Sequence, residues 1–188
     1  LHPRVRRQRQ MCIRDRGKAD AERGGISSAR TDIVERNQRK NLTDCGWIRG
    51  VKMFIDMHMH ESRYSKDSFL MLEEMVEIAK ERGLGAICIT DHDDMGLREF
   101  AAEYSKKVDF PIFVGIEFFS LQGDIVAFGI EEYPKERVSA QEFIDLVKAQ
   151  GGICFAVHPF RNNNRGLEEN LKTVQGLDGI EVLNGSTL

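Results

Sequence analysis

Four histidines are the residues of this sequence best suited to chemistry, because each lies at the end of a short apolar segment that is typical of a β-strand. Side chains alternate along an extended chain, so His58 and His60 project to one side and can reach one cation. His92 and His158 follow two further apolar segments. A lone histidine is more often structural than a ligand, but four at strand ends favour a metal site. Neutral imidazoles with carboxylates suit zinc, manganese or iron.

Acidic residues lie at the same strand ends as the histidines. Glu117 follows an apolar segment, and burial of its charge would cost several kcal/mol unless a cation pairs with it. Such a carboxylate can also bridge two ions. Asp91 lies next to a histidine and could orient a metal ligand without touching the metal, which makes it a candidate catalytic residue. Asp93 and Asp94 fit the first turn of a helix better than a ligand role.

Asp67 and Arg161 each fit two interpretations. Asp67 precedes a helical pattern, so it could cap that helix or ligate a metal. Arg161 follows the His158-Pro159 pair, and its planar guanidinium matches phosphate oxygens, so it is a candidate catalytic and substrate-binding residue. An ordinary surface arginine is the alternative for that position.

The elements that must position these residues alternate between short apolar segments and helical patterns from Met53 onward. This alternation is typical of parallel strands joined by helices, so the predicted fold class is α/β. The predicted parallel strands are 53–57, 86–90, 112–116, 153–157 and 179–183. Carboxyl ends of parallel strands meet on one face, where active sites of such folds are built. We therefore expect the four histidines to converge there.

One further strand and two helices are predicted with their boundaries. The turn at 121–124 predicts that the segment 125–130 returns along its neighbour as a strand. One helix is expected to begin at Asp67 or Ser68 and to end at Gly83. Its predicted inward face comprises Phe69, Leu72, Met75, Val76 and Ala79. A second helix is expected to begin at Ser139 and to stop at Gly151-Gly152. Its predicted inward residues are Phe143, Ile144 and Val147.

Length and composition limit the chain to one main domain of an ordinary globular kind. It has 188 residues, 41% hydrophobic and 30% charged, with no apolar run long enough to cross a membrane. No signal-peptide pattern follows the basic N-terminus. The four cysteines lack the paired spacing of disulfide frameworks or zinc knuckles, and Cys88 and Cys154 lie in apolar segments. A cytoplasmic location is therefore expected.

Charge separates residues 1–52 from the rest of the chain. The first 52 residues carry a net charge of +8 and residues 53–188 carry −11. Apolar periodicity is weak through residue 41, so we interpret residues 1–52 as a basic, disordered extension. The run Met11 to Arg16 resembles translated sequencing-adapter read-through, so a non-native origin is the alternative, with Met53 as the initiator. Specific nucleic-acid binding and membrane binding are not expected.

Four ordered motifs resemble the PHP domain, named for polymerase and histidinol phosphatase, and its small metal-dependent phosphoesterases in particular. They are Asp56-Met57-His58-Met59-His60, Thr90-Asp91-His92-Asp93, Gly115-Ile116-Glu117 and His158-Pro159. Two further segments, Tyr64 to Ser68 and Gly179 to Asn184, extend the similarity over residues 53–188. A lone Asp-x-His-x-His would be a weak indication, but this order and spacing are typical of the family.

The resemblance implies a distorted (β/α)7 TIM-like barrel with two or three divalent ions, Mn, Zn or Fe, at its C-terminal face. Its implied metal ligands are His58, His60, Asp67, His92, Glu117 and His158, with Glu117 bridging. Many relatives carry a histidine where Ile125-Val126-Ala127 stands here, and their final Asp-x-His motif does not occur before Leu188. We therefore expect about five of the seven strands, in a PHP domain truncated before its last motif.

The function that follows is metal-dependent hydrolysis of a phosphate ester by a metal-bound hydroxide. The expected substrate is a small-molecule or nucleotide phosphate ester. One alternative is an amidohydrolase-like enzyme, because the same chemistry attacks carbonyl groups. A second alternative is a non-catalytic PHP domain that binds metal only as a scaffold. Activity towards phosphate esters rather than N-acyl compounds would distinguish a phosphoesterase from an amidohydrolase-like enzyme. A protein that binds metal but has no activity would support the scaffold.

Overall fold

The structure is a computed structural model that describes residues 53–161 and 163–185. Residues 1–52, which were predicted to form a basic, disordered extension, lie outside the described residues. Seven strands are described: β1 Ile55–Met59, β2 Ala86–Ile89, β3 Ile112–Val114, β4 Ile116–Phe119, β5 Asp124–Phe128, β6 Ile153–Ala156 and β7 Gly179–Ile180. Three α-helices and one 3-10 helix join them: α1 Leu72–Glu81, α2 Arg98–Val108, α3 Ala140–Ala149 and the 3-10 helix Glu168–Lys172. No helix of this part of the chain is long and apolar enough to span a membrane.

The strands form two sheets. The first is parallel, in the order β1-β2-β3. The second has the order β4-β5-β6-β7, in which β5 is antiparallel to both of its neighbours and β6 pairs with β7 in parallel. The α/β class and the returning strand after the 121–124 turn are thus confirmed. Five parallel strands in one barrel were expected, and the described residues instead form two sheets without a closed barrel.

A break at Gly115 separates the two sheets. The segment 112–116 was predicted as one strand, but β3 ends at Val114 and β4 begins at Ile116. Gly115 lies so close to β5 that an added Cβ would meet the Ala127 carbonyl oxygen at 2.4 Å. A single parallel bridge between His92 and Glu117 still connects the two sides of the break. The break therefore brings β4 beside the loop that follows β2.

Helix α1 begins later than predicted. The prediction of Asp67 or Ser68 as the N-cap is wrong, since Met71 caps the helix and its backbone N–H donates to the Glu74 carboxylate at 3.3 Å. Ser68 Oγ instead donates to the His60 carbonyl at 2.6 Å, which ties the preceding loop to the end of β1. Phe69 lies before the helix and is 92% exposed, so its predicted inward position is also wrong. The rest of the predicted face is buried: Leu72, Met75, Val76 and Ala79.

Helix α3 follows its prediction. Ser139 is the N-cap, and its side chain accepts a hydrogen bond from the Glu142 backbone N–H at 3.2 Å. The three predicted inward residues are buried, and Phe143 stacks on Phe118 of β4 with ring centroids 4.2 Å apart. Gly151, with φ of 76°, lies two residues beyond the helix. This packing holds β4 firmly, and β4 carries Glu117.

Each sheet has its own apolar core. The first core packs α1 and α2 against β2, around Leu72, Ile87, Ile89, Leu97 and Phe110. The second packs α3 against β4, β5 and β6, around Ile116, Phe118, Ile125, Phe143 and Ile144. Cys88 and Cys154 are buried free thiols on β2 and β6, as expected. Burial raises the pKa of the Cys88 thiol to about 12 and that of the Cys154 thiol to about 11.

Candidate metal centre

The four predicted histidines come together at one end of the two sheets. His58 lies within β1 rather than after it, so the strand is displaced from the predicted 53–57. His60 and His92 lie just beyond β1 and β2, and His158 lies two residues beyond β6. Ring centroids are 5.2 Å apart for His58 and His60, 4.4 Å for His60 and His92, and 5.6 Å for His58 and His158. The expected convergence of these side chains is present although the sheet is divided.

Glu117 lies at the centre of the histidines and is 1% exposed. Its Oε1 atom is 2.7 Å from His158 Nε2. Its Oε2 atom is 3.2 Å from His58 Nε2, 3.0 Å from His60 Nε2 and 3.1 Å from His92 Nδ1. Despite these short distances, Oε2 has no hydrogen-bond partner of acceptable geometry among the described residues. The atoms are close without being bonded to each other.

Two overlapping sets of donor atoms share Glu117. One set is His58, Glu117 and His158, and the other is His60, His92 and Glu117. Within each set the donor atoms lie within 4.8 Å of one another. Between the sets, His58 Nε2 and His60 Nε2 are 3.3 Å apart. Nitrogen and oxygen donors that face a common point in this way fit divalent ions.

Three buried polar atoms support the same conclusion. Glu117 Oε2, Asp124 Oδ1 and His158 Nδ1 have no hydrogen-bond partner among the described residues. Buried polar groups are nearly always paired, and an unpaired one points to a partner such as an ion. All three belong to side chains in direct contact, because Glu117 and Asp124 both lie next to His158 Nε2. The residues present therefore fit a bound cation.

The charges at the centre are strongly coupled. Burial alone would raise the pKa of Glu117, but the imidazoles of His158, His58 and His60 outweigh it and hold the pKa well below its ordinary value. Burial likewise opposes charge on His58, yet the carboxylates of Glu117 and Glu181 raise its pKa to about 10. This arrangement stabilises positive charge next to Glu117. A metal ion would supply that charge in place of a proton.

Asp67 lies at the edge of the centre and in neither donor set. Its side chain is 58% exposed, and its Oδ2 is 3.3 Å from His92 Nε2. The carboxylate can accept only from a protonated ring nitrogen, so this contact assigns the proton of neutral His92 to Nε2 and leaves the Nδ1 lone pair facing Glu117. In this position Asp67 contacts a histidine of the second set, and its role as a metal ligand stays a prediction.

Asp91 is buried and holds the loop after β1. Its Oδ1 accepts a hydrogen bond from the Glu61 backbone N–H at 2.7 Å, and burial raises its pKa to about 6. Asp91 was expected to orient His92 or another ligand, and the ring nitrogens of His92 contact Glu117, Asp67 and Arg165. Asp91 therefore supports the backbone next to His60.

Arg161 and Arg165 occupy different places near the centre. Arg161 Nη2 donates to Asn184 Oδ1 at 3.3 Å. Arg165 reaches the centre itself, with Nε donating to Asp124 Oδ2 at 2.7 Å and Nη2 at 2.9 Å from His92 Nδ1. Arg165 could not be identified from the sequence, because nothing in the loop around it distinguishes it from a surface arginine.

Three further residues of the centre were also missed. Glu181 contacts His58 Nδ1 at 3.3 Å through Oε1 and accepts from the His158 backbone N–H at 2.7 Å through Oε2. Ser65 Oγ lies 3.1 Å from His60 Nδ1 and accepts from the His92 backbone N–H at 3.2 Å. Asp124 is fully buried, and desolvation together with the charge of Glu117 raises its pKa to about 8. A carboxylate directly before the apolar segment at 125 was the one signal for Asp124.

Known proteins are similar to this chain in sequence or in fold. An uncharacterized protein of Methanocaldococcus jannaschii is 27% identical over 142 residues, in an alignment that covers 70% of this chain and 82% of that protein. The fold resembles the crystal structure of a proposed metal-dependent phosphoesterase from Bifidobacterium adolescentis, with 19% identity and a TM-score of 0.58, over 68% of this chain and 76% of the other.

A second solved structure with the same fold is an amidohydrolase from Chromobacterium violaceum with bound sulfate and no metal. It is 19% identical with a TM-score of 0.52, over 67% of this chain and 75% of the other. The profile of the PHP domain family matches residues 56–183, which include all four histidines and Glu117. That match covers more than half of the chain, and the chain therefore belongs to the PHP domain family.

Proposed function

We propose that this chain is a metal-dependent hydrolase of phosphate esters that holds two divalent ions around Glu117. The observation that carries the proposal is Glu117 Oε2, a buried carboxylate oxygen 3.0–3.2 Å from three imidazole nitrogens without a proper hydrogen bond to any of them. In this proposal each donor set would hold one ion, and Glu117 is the residue common to both sets. Manganese, zinc and iron suit these donors.

Bound ions would lower the pKa of a shared water and stabilise the charge on substrate oxygens. The protein's contribution is to hold the donor atoms in position. Glu181 contacts His58 Nδ1 and so turns Nε2 towards Glu117. Ser65 contacts His60 Nδ1 and so turns its Nε2 to the same point. Side chains that contact the far nitrogen of a ligating histidine fix its tautomer and its orientation.

The arginines support a phosphate ester as the substrate. Arg165 lies next to the centre, 2.9 Å from His92, and Arg161 follows the His158-Pro159 pair. Planar guanidinium groups bind phosphate oxygens in a bidentate manner and so favour an anionic substrate. The resemblance to a solved amidohydrolase keeps N-acyl substrates as the second candidate.

The first prediction tests the metal centre by changing Glu117. Glu117→Gln keeps the size of the side chain but removes the bridging charge, so we expect the metal content to fall from two ions per chain to one or none. Hydrolysis should fall by at least about 100-fold, because the ions that Glu117 would hold stabilise the charge of the transition state. Elemental analysis after loading with manganese, zinc or iron measures the first effect, and a panel of phosphate monoesters, diesters and N-acyl amino acids measures the second.

Glu136→Gln is the matched control, because Glu136 is an exposed glutamate on the loop before α3. It should keep both ions and full activity. Unchanged metal content in Glu117→Gln would contradict the proposed centre. If the chain binds two ions but hydrolyses N-acyl compounds alone, its function is that of an amidohydrolase and not that of a phosphoesterase.

A further inference from the structure

Arg165 places a positive charge on one of the two donor sets. Its Nη2 lies 2.9 Å from Nδ1 of His92, which belongs to the set with His60 and Glu117. Its Nε donates to the buried carboxylate of Asp124 at 2.7 Å. The guanidinium carbon lies 4.1 Å from the centre of the Phe119 ring. Arg165 is therefore held at this position by three contacts.

The contact with His92 uses the electron pair that a metal ion would need. The Nε2 side of His92 faces the Asp67 carboxylate at 3.3 Å, which assigns the ring proton to Nε2. Nδ1 then carries the lone pair, and an arginine has only donors, so Arg165 donates to Nδ1. One lone pair cannot serve both an Arg165 N–H and an ion.

The other donor set has different surroundings. The contacts of His58 and His158 with charged side chains are with Glu117, Glu181 and Asp124, which are all carboxylates. Negative neighbours favour a cation, whereas Arg165 opposes one at the His60 and His92 set. Both sets share Glu117, whereas Arg165 contacts His92 of the second set, on the opposite side of that ring from the Asp67 carboxylate.

We propose that Arg165 acts as a built-in counter-cation for the set formed by His60, His92 and Glu117. Its guanidinium holds His92 Nδ1, and it would leave that atom when an ion binds. The set formed by His58, Glu117 and His158 therefore fills first, and the second ion binds more weakly. After release, Asp124 and Phe119 retain the arginine beside the centre, where its freed N–H groups can bind an anionic substrate oxygen. This inference rests on the proposed two-ion function.

The test compares manganese binding by the whole ion-free protein and its variants, in competition with a chromophoric chelator. The wild-type chain should bind two ions with unequal affinities. Arg165→Gln should tighten the weaker ion by about tenfold or more, the value of a charge-assisted hydrogen bond, and leave the stronger ion within about twofold. Arg137→Gln is the matched control, because Arg137 also stacks on Phe119, at 3.6 Å, but donates to the backbone carbonyls of Phe119 and Ser120. It should leave both affinities unchanged.

Arg165→Lys separates competition for the lone pair from simple charge repulsion. Lysine keeps the charge near Asp124 but lacks the fork that reaches His92 at the same time. Tightening of the weaker ion in Arg165→Lys supports the proposal, and it serves as the test if Arg165→Gln fails to fold. An affinity like that of the wild type in Arg165→Lys, or no tightening in a folded Arg165→Gln, would overturn it. A wild-type chain that binds fewer than two ions would instead overturn the proposed function, and this inference with it.

Discussion

Glu117 shows how much of the centre depends on one side chain. It is almost fully buried and has four imidazoles within 3.2 Å of its two oxygens. A buried charge without partners would cost several kcal/mol, so the histidines are as necessary for Glu117 as it is for them. The proposed ions would add positive charge at a point where the described residues concentrate carboxylate oxygens and imidazole nitrogens.

A second prediction at the scale of residues concerns Glu181, which contacts two histidines of the first donor set. Glu181→Gln keeps an oxygen for the His158 backbone N–H but removes the charge that orients the His58 ring. We expect metal affinity at the set of His58, Glu117 and His158 to fall about 10- to 100-fold, the usual effect of losing such a supporting group. The measurement is the same manganese competition titration.

Glu169→Gln provides the comparison for Glu181. Glu169 belongs to an exposed ion pair with Lys172 on the 3-10 helix, so its loss should leave manganese affinity unchanged. If Glu181→Gln binds manganese as tightly as Glu169→Gln does, Glu181 does not orient the ligands.

At the scale of elements, the division of the segment 112–119 into β3 and β4 determines where Glu117 points. β3 continues the parallel sheet beside β2, and β4 pairs antiparallel with β5. Gly115 makes the change possible because its missing side chain lets the backbone approach Ala127 and Phe128 closely. A bridge from β4 back to His92 then keeps the carboxylate beside the loop after β2.

A third prediction follows from this close approach. Gly115→Ala would place a Cβ 2.4 Å from the Ala127 backbone oxygen and 2.5 Å from the Phe128 ring, so the strands must separate. We expect the free energy of unfolding to fall by about 1–3 kcal/mol, as in other overpacked sites. Manganese affinity should fall as well, because β4 carries Glu117. Urea unfolding and the chelator titration measure the two effects.

Gly179→Ala on β7 is the control for Gly115→Ala. A Cβ at Gly179 would meet only Phe155 Cβ at 3.9 Å, which is an ordinary contact. Its stability should stay within about 0.5 kcal/mol of the wild type. Equal stabilities for the two alanine variants would show that the approach at Gly115 is not tight.

At the scale of the whole molecule, the candidate metal centre lies where the two sheets meet. His58, His60 and His92 come from the parallel sheet and its loops, whereas Glu117 and His158 come from the mixed sheet and its following loop. Each sheet packs on its own helices in a separate core. The donor sets form only when the two cores hold a fixed arrangement, so metal affinity reports on the folding of both.

A fourth prediction concerns the extent of the folding unit. Both apolar cores are described within residues 59–177, and the family match begins at residue 56. We expect residues 53–188, produced without residues 1–52, to bind manganese with the same two affinities as the full chain. The midpoint of thermal unfolding should lie within about 3 °C of that of the full chain. A shift of that size corresponds to less than about 1 kcal/mol of stability for a domain of this length. Loss of one ion, or a fall well beyond that range, would show that the first 52 residues contribute to the centre.

The sequence by itself determined the features that depend on local pattern. The alternation of side chains in a strand was enough to place His58 and His60 together. The spacing of apolar residues predicted the buried faces of α1 and α3, and a glycine-containing turn predicted the strand that returns after 121–124. Glu117 was identified because a carboxylate after an apolar strand needs a cation. The order of these motifs also resembled the PHP domain family, which the match over residues 56–183 confirms.

Only the tertiary structure decided which other residues complete the centre. Arg165 contacts His92 across 73 positions of sequence, Glu181 contacts His58 across 123, and Arg165 contacts Asp124 across 41. No local pattern encodes such contacts, because they depend on how the two sheets pack. The same packing divided the strand predicted at 112–116 and left Asp67 beside His92 rather than within a donor set. Local periodicity specifies which face a side chain takes, but the partners on that face depend on the arrangement of distant strands.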